Sequence, residues 1–196
     1  MAEQKQHEAA LPSLEQLENE RIRWRQRKSY RKILLNTIGI LIVVAAISVL
    51  IATLFFPVLQ VSGTSMEPTM EDGEILILKK TGDLETGDLV GFYYQNKILL
   101  KRVIGKAGDY IDIDKDGNVY VNNEILDEPY IREKSLGDCD IDLPYQVPDG
   151  KVFVMGDHRS TSVDSRNSAI GCVSREQLAG KVALRVWPVE RIGFLH

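Results

Sequence analysis

Asp88-Leu89-Val90-Gly91-Phe92-Tyr93-Tyr94 and Ile98-Leu99-Leu100-Lys101-Arg102-Val103-Ile104 are the stretches that decide the fold. Both are short, rich in aliphatic, β-branched and aromatic residues, and bounded by turn-forming side chains, which is how strands read. Outward from them, residues 74–78, Tyr110–Ile113, Val119–Val121, Lys151–Met155 and residues 181–187 have the same character. Asp116-Gly117-Asn118 separates two short alternating runs and predicts a hairpin turn. A short helix is expected over residues 174–179, where Ser174 and Gln177 have capping-box spacing. Residues 127–150 hold three prolines and many acids and read as loop. The expected fold is mostly β, an antiparallel sheet packed as a compact barrel or sandwich.

Upstream the pattern changes. No charged residue occurs between Lys32 and Glu67, and residues 33–56 are dominated by Ile, Leu, Val and Ala. As a helix this run is on the order of 35 Å long, enough to cross the hydrocarbon core of a bilayer. A cleavable secretory leader has a shorter apolar core and a shorter basic region before it, so an uncleaved anchor is expected. Seven basic residues and no acid lie within residues 21–32. By the positive-inside rule they place the N-terminus in the cytoplasm and the later domain outside. Residues 11–32 fit either a charged helix or a solvated tail. The expected organisation is a basic cytoplasmic tail over 1–32, a transmembrane anchor over 33–57 and an extracytoplasmic domain over 58–196. Residues 1–32 carry a net charge of +3 and the remainder −7 within a total of −4. A mildly acidic globular part argues against a nucleic-acid surface.

Two residues in this frame have reactive potential. In the strand 98–104, Leu99, Lys101 and Val103 share one face, and Leu100, Arg102 and Ile104 the other. Both faces are largely apolar, so Lys101 is expected in a dry setting. Burial disfavours the ammonium and lowers its pKa, yielding a neutral amine that can accept a proton. Ser65, in Ser62-Gly63-Thr64-Ser65-Met66-Glu67-Pro68-Thr69-Met70, is a serine in a turn just past the apolar run. Taken singly, a snorkelling lysine and a structural loop serine are the commoner readings, and the spacing between the two gives no geometry. A Ser–His–Asp arrangement using His158 with Asp157 or Asp164 is the chemical rival. The segment 156–167 is dense in donors, acceptors and charges, and Asp164 and Arg166 are placed to pair within it. His7, His158 and His196 are scattered, so no zinc site is expected. Cys139 and Cys172 lie in no metal-type spacing and are read as free thiols, although an extracytoplasmic location would permit a disulfide.

Three of these segments together resemble the boxes of the type I signal peptidases. Ser65-Met66-Glu67-Pro68-Thr69-Met70 is similar to their serine box and residues 101–109 to their lysine box. Residues 156–166 are similar to their Gly-Asp-Asn-Arg box. They occur in the family's order after an N-terminal anchor, and the single anchor with a small domain resembles the short Gram-positive form. The resemblance implies a membrane-anchored serine endopeptidase, a peptide-bond hydrolase that removes N-terminal signal peptides from exported preproteins. Ser65 would be the nucleophile and Lys101 the general base, with the Ser65 backbone N–H as an oxyanion donor. Ser162 would aim Lys101, with Asp164 and Arg166 in support. Met66, Leu99 and Leu100 would contact substrate, Met66 and Leu100 lining small pockets for the residues at −1 and −3. The substrate would add to the sheet as an extended strand. The implied partners are exported preproteins with small residues at those positions, the lipid bilayer and, functionally, the secretion translocon, with no nucleic acid, cofactor or metal.

Two positions depart from the pattern. Gly63 stands where some members have a serine hydroxyl completing the oxyanion hole, which leaves the second donor open. His158 stands where the family usually has asparagine. Two other readings remain. A self-cleaving Ser–Lys protease of the SOS-repressor type would need a DNA-binding head in place of the apolar span. A catalytically dead anchored β domain would predict a broken dyad, whereas both Ser65 and Lys101 are present.

Overall fold

The computed structural model describes residues 13–195. The chain divides into a helical unit ending at Ile51 and a β unit beginning at Ala52. The first element is one continuous helix, α1, Leu14–Phe55. Ser13 caps it reciprocally: Gln16 N–H donates to Ser13 Oγ at 3.3 Å and Ser13 N–H to Gln16 Oε1 at 3.0 Å. Of the two readings of residues 11–32, the described part from Leu14 onward is helical. The apolar run ends in helix at Phe55, two residues short of the expected boundary at 57, and Pro57 lies outside it. No residue of α1 is buried, and its apolar part is long enough to cross a bilayer.

The β unit contains β1 (Val58–Gln60), β2 (Ile75–Lys79), β3 (Leu89–Tyr94), β4 (Lys97–Lys106), β5 (Tyr110–Ile113) and β6 (Val119–Val121). It continues with β7 (Glu124–Ile125), β8 (Tyr145–Gln146), β9 (Lys151–Met155), β10 (Val173–Ser174), β11 (Leu178–Trp187) and β12 (Gly193–Phe194). All pairings are antiparallel. The larger sheet runs β1-β2-β11-β3-β4-β9-β10, with β12 on β11, and the smaller runs β7-β6-β5-β8. The seven expected strands are present, several with shifted ends, and β5 and β6 form the expected hairpin. Five strands of two or three residues were not foreseen, because so short a run shows no alternation; β8 falls within the expected loop 127–150. The helix expected over 174–179 is only a 3₁₀ turn, Arg175–Gln177. Gln177 Oε1 does accept Ser174 N–H at 2.9 Å, but from Leu178 the chain enters β11, where Ala179 and Val182 are buried in the sheet.

β4 organises the core, because both its faces are covered. Leu100 packs in one apolar cluster with Met66, Met70, Leu76 and Leu89. Val103 packs in a second with Val90, Phe92 and Val154, and Ile104 in a third with Ile111, Phe153 and Met155. The larger sheet curls on itself: Leu59 of β1 and Leu100 of β4 meet in one cluster although three strands separate theirs in the sheet. On its far edge β4 pairs with β9 only over Arg102–Lys106, with a bulge at Ile104 between the Val103↔Val154 and Gly105↔Phe153 pairs. Among the described residues, the edge of β4 from Lys97 to Lys101 that faces away from β3 has no strand on it.

Candidate active site

Ser65 is held in a tight turn after β1. Glu67 N–H donates to Thr64 O at 3.1 Å and Met70 N–H to Met66 O at 3.0 Å. Asp72 Oδ1 accepts Gly63 N–H at 2.7 Å, and Gly63 has φ +93°, a left-handed backbone that glycine adopts without strain. Met66 and Met70 are buried in the core and draw the turn down onto it. Ser65 remains at the wall of a cavity of about 490 Å³, which Gly63, Leu99, Lys101, Thr161 and Ile170 also line.

Lys101 reaches the same wall from β4. Its Nζ donates to Ser65 Oγ at 2.7 Å. The residue is 3% exposed and makes no ion pair among those of the described residues. Its neighbours on the same strand face, Leu99 and Val103, belong to an apolar cluster. Burial lowers its pKa from the ordinary 10.5 to about 8; the Arg166 charge reinforces this, while Asp164 and Asp157 oppose it. A substantial fraction of Lys101 is therefore a neutral amine just above neutral pH, in contact with a hydroxyl.

The segment 156–166 packs behind the pair. Gly156 is needed for that approach: a Cβ there would lie 2.2 Å from Ser162 Oγ and 2.5 Å from the Ser65 carbonyl oxygen. Asp164 and Arg166 form a fully buried pair at 2.8 Å, and Asp164 Oδ2 also accepts Gly156 N–H at 2.9 Å. Arg166 further donates to the carbonyls of Leu136 and Arg159 at 2.7 and 3.0 Å, joining the long 127–150 excursion to the site. Ser162 does not make the expected bond to the Lys101 amine: its Oγ is buried with no hydrogen-bond partner among the described residues.

The sequence reading missed a second buried network. Arg102, next to Lys101 but on the opposite face, donates to Asp157 Oδ1 and Oδ2 at 2.9 and 2.7 Å and to Gly87 O at 2.7 Å. Its guanidinium lies 3.8 Å from the Tyr130 ring centroid, and Thr69 Oγ1 donates to Asp157 as well. Arg159 pairs with Glu128, and Tyr130 O–H donates to Glu128 at 3.0 Å. Burial and the Glu128 charge push the Tyr130 hydroxyl pKa upward. A signal for Arg102 existed, since an arginine on an apolar strand face demands a buried acceptor. Nothing in the sequence singled out Asp157 as that acceptor.

The chain from residue 34 to 187 matches the model of the family described as signal peptidase, peptidase S26. The chain belongs to the signal peptidases. Signal peptidase I of Bacillus licheniformis is 36% identical over 168 residues, covering 78% of this chain and 88% of that one. Signal peptidase IB of Staphylococcus aureus is 38% identical over 148 residues, 65% of this chain and 76% of that one. A solved signal peptidase I from Enterococcus faecalis has 25% identity and a TM-score of 0.41, covering 50% of this chain and 96% of the other.

Within this signal peptidase fold, Leu99 lines the cavity, whereas Met66 and Leu100, expected to line pockets, are buried together in the core and do not line it. His158, at the position that departs from the family pattern, donates its N–H to Ser65 O at 3.1 Å, and its Nδ1 lies 3.3 Å from Thr64 O. Among the described residues no histidine ring meets the Ser65 hydroxyl: the His158 ring meets the Thr64 carbonyl, while the hydroxyl of Ser65 meets Lys101. Cys139 and Cys172 are free thiols. His7 and His196 lie outside the described residues.

Proposed function

We propose that this signal peptidase cleaves preproteins with Ser65 as nucleophile and Lys101 as the single general base. The observation that carries the reading is the 2.7 Å contact between Ser65 Oγ and the Nζ of Lys101, which is buried and makes no ion pair among the described residues. With the amine neutral, the contact reverses and the hydroxyl donates to nitrogen. Oγ attacks the scissile carbonyl carbon as its proton passes to Nζ, and the carbonyl oxygen becomes an oxyanion facing the Ser65 N–H. Collapse breaks the C–N bond, leaves the signal peptide as an ester on Ser65, and transfers the Lys101 proton to the departing amine of the mature protein. Lys101 then takes a proton from water and the hydroxide attacks the ester. Lys101 returns that proton to Ser65 Oγ as the ester C–O bond breaks, and the signal peptide leaves as an acid that gives its proton to solvent and becomes a carboxylate. The Asp164–Arg166 pair holds the packing behind the dyad, and Ser162 occupies the space beside Gly156.

Substrate enters extended along the unpaired edge of β4, with its −1 and −3 side chains, small in this family, directed at the walls built over Met66, Leu99 and Leu100. Residues 1–32 lie in the cytoplasm, residues 33–57 cross the membrane and residues 58–196 act outside, where preproteins emerge from the translocon. The basic cluster before the span supports that orientation.

Ser65→Ala tests the chemistry. Detergent-solubilised full-length protein carrying it is expected to leave a preprotein uncut while keeping its circular dichroism spectrum; retained cleavage would remove Ser65 from the reaction. Protease added outside intact cells is expected to digest the domain after residue 57 and to spare the N-terminal tail. The reverse pattern would invert the topology.

A further inference from the structure

The mechanism needs the Ser65 N–H aimed at the developing oxyanion, and with Gly63 in place of a hydroxyl donor that N–H has no side-chain helper at position 63. Ser65 N–H makes no hydrogen bond among the described residues, although both carbonyls flanking it are engaged. Thr64 O accepts from Glu67 N–H at 3.1 Å and lies 3.3 Å from His158 Nδ1; Ser65 O accepts His158 N–H at 3.1 Å. One residue thus grips the peptide on each side of the nucleophile.

The geometry of a trans peptide gives this grip a direction. In such a unit the C=O and N–H lie in one plane and point in opposite directions. The carbonyl of Thr64 and the N–H of Ser65 belong to the same unit. A donor holding Thr64 O from the His158 side therefore turns Ser65 N–H the opposite way. The second contact, His158 N–H to Ser65 O, fixes the following plane. Rotation about the Ser65 backbone, which would swing both the N–H and the side chain, is blocked at both ends. His158 itself is anchored: Thr161 N–H and Ser162 N–H both donate to its carbonyl, at 3.2 and 3.0 Å. The neighbouring Asp157 is locked to Arg102.

We propose that His158 is a positioning residue whose Nδ1–H, held on Thr64 O, orients the Ser65 N–H for oxyanion stabilisation. It touches neither substrate nor reacting atoms. The role requires the tautomer or ionised form that carries a proton on Nδ1, and an asparagine amide at this position supplies an equivalent donor. The proposal rests on Ser65 being the nucleophile.

The test compares two isosteric variants, His158→Asn and His158→Asp, with His158→Ala, in full-length detergent-solubilised protein acting on one peptide substrate. Asn keeps a donor toward Thr64 O; Asp at neutral pH offers only acceptors, and Ala offers nothing. The expected result is a kcat within about threefold of the parent for His158→Asn and a fall of about tenfold or more for the other two. KM should stay within about twofold, because the interaction matters in the transition state. In His158→Asn and His158→Ala the rise of rate with pH should keep its midpoint, since neither adds a charge near Lys101. Parent-like kcat in His158→Ala, equal kcat in His158→Asn and His158→Asp, a loss confined to KM, or a shifted midpoint in His158→Asn or His158→Ala would each overturn the inference. Should His158→Ala fail to fold, the isosteric pair still decides. If Ser65→Ala also cleaves, the reading of the dyad has failed. If Ser65→Ala is inert while His158→Asp matches His158→Asn, only the clamp has failed.

Discussion

β4 carries two buried cations side by side, and its two faces treat them oppositely. Arg102 meets a bidentate carboxylate, a backbone carbonyl and an aromatic face, so its charge is fully accommodated. Lys101 lies between Leu99 and Val103 on its strand face, meets a serine hydroxyl and, among the described residues, has no carboxylate within ion-pair distance. The first arrangement makes a strut; the second suits the base we propose. A buried positive charge that is given a partner stays charged; one that is denied a partner loses its proton more readily.

The contrast breaks most sharply if Lys101 is made into its neighbour. Lys101→Arg retains a cation but cannot release a proton near neutral pH. Its turnover of a preprotein is expected to fall by about a thousandfold or more, as in Lys101→Met. Residual activity near the parent level would mean that position 101 acts by charge and not as a base.

The opposite face is tested by stability. Arg102→Ala leaves Asp157 buried without its partner, and denaturant unfolding is expected to show a loss of about 3–5 kcal/mol. A loss under about 1 kcal/mol would reduce the pair to a surface-like contact.

Lys101→Met sharpens the comparison from the other direction. The folded-state pKa of about 8 lies below the ordinary 10.5, so the unfolded chain binds more protons between those values. Stability therefore rises with pH across that window, and below about pH 8 the native state carries the full penalty of a buried ammonium. Removing the amine should raise stability by about 3 kcal/mol at pH 7. The gain should vanish above pH 10.5. A variant less stable than the parent at pH 7 would show that the amine's contacts outweigh its burial.

In the parent, kcat/KM for one peptide should climb about tenfold per pH unit below pH 8 and level above it, leaving the rate at pH 6 about a hundredfold under the plateau. A flat profile would remove Lys101 as the titrating group. The smallest effect belongs to a paired cation near the surface. Arg191 contacts Glu71 and Glu74 but is one-third exposed, and Arg191→Ala is expected to shift stability by less than about 1 kcal/mol.

Much of this contrast was legible in residues 98–104. Alternation put Lys101 and Arg102 on opposite faces, and the apolar neighbours made both faces dry. The meeting of Lys101 with Ser65 was not legible from pattern, because β11, from the far end of the chain, is inserted between β2 and β3 and sets the curl that closes the gap. Resemblance of three boxes supplied the pairing instead. The partners of Arg102 and Arg159 escaped for a related reason. Asp157 sat in what read as a polar turn and Glu128 in an acidic loop, and nothing local distinguishes an acid that will be buried from one that stays solvated. Ser162 shows the limit of resemblance, since its hydroxyl takes no partner among the described residues.

β9 ends at Met155, opposite Arg102, and at Gly156 the chain turns away from β4 to pack against Ser65. Had β9 continued straight, it would have run beside Lys101 and Leu100 and sealed the sheet. The turn leaves a length of strand edge; a substrate that joins it, as we propose, would do so through amides and carbonyls, groups common to all sequences. Recognition of that kind is sequence-blind. On that reading discrimination would fall to the few side chains that line the cavity, and the point where one strand stops would set how broad the substrate range can be.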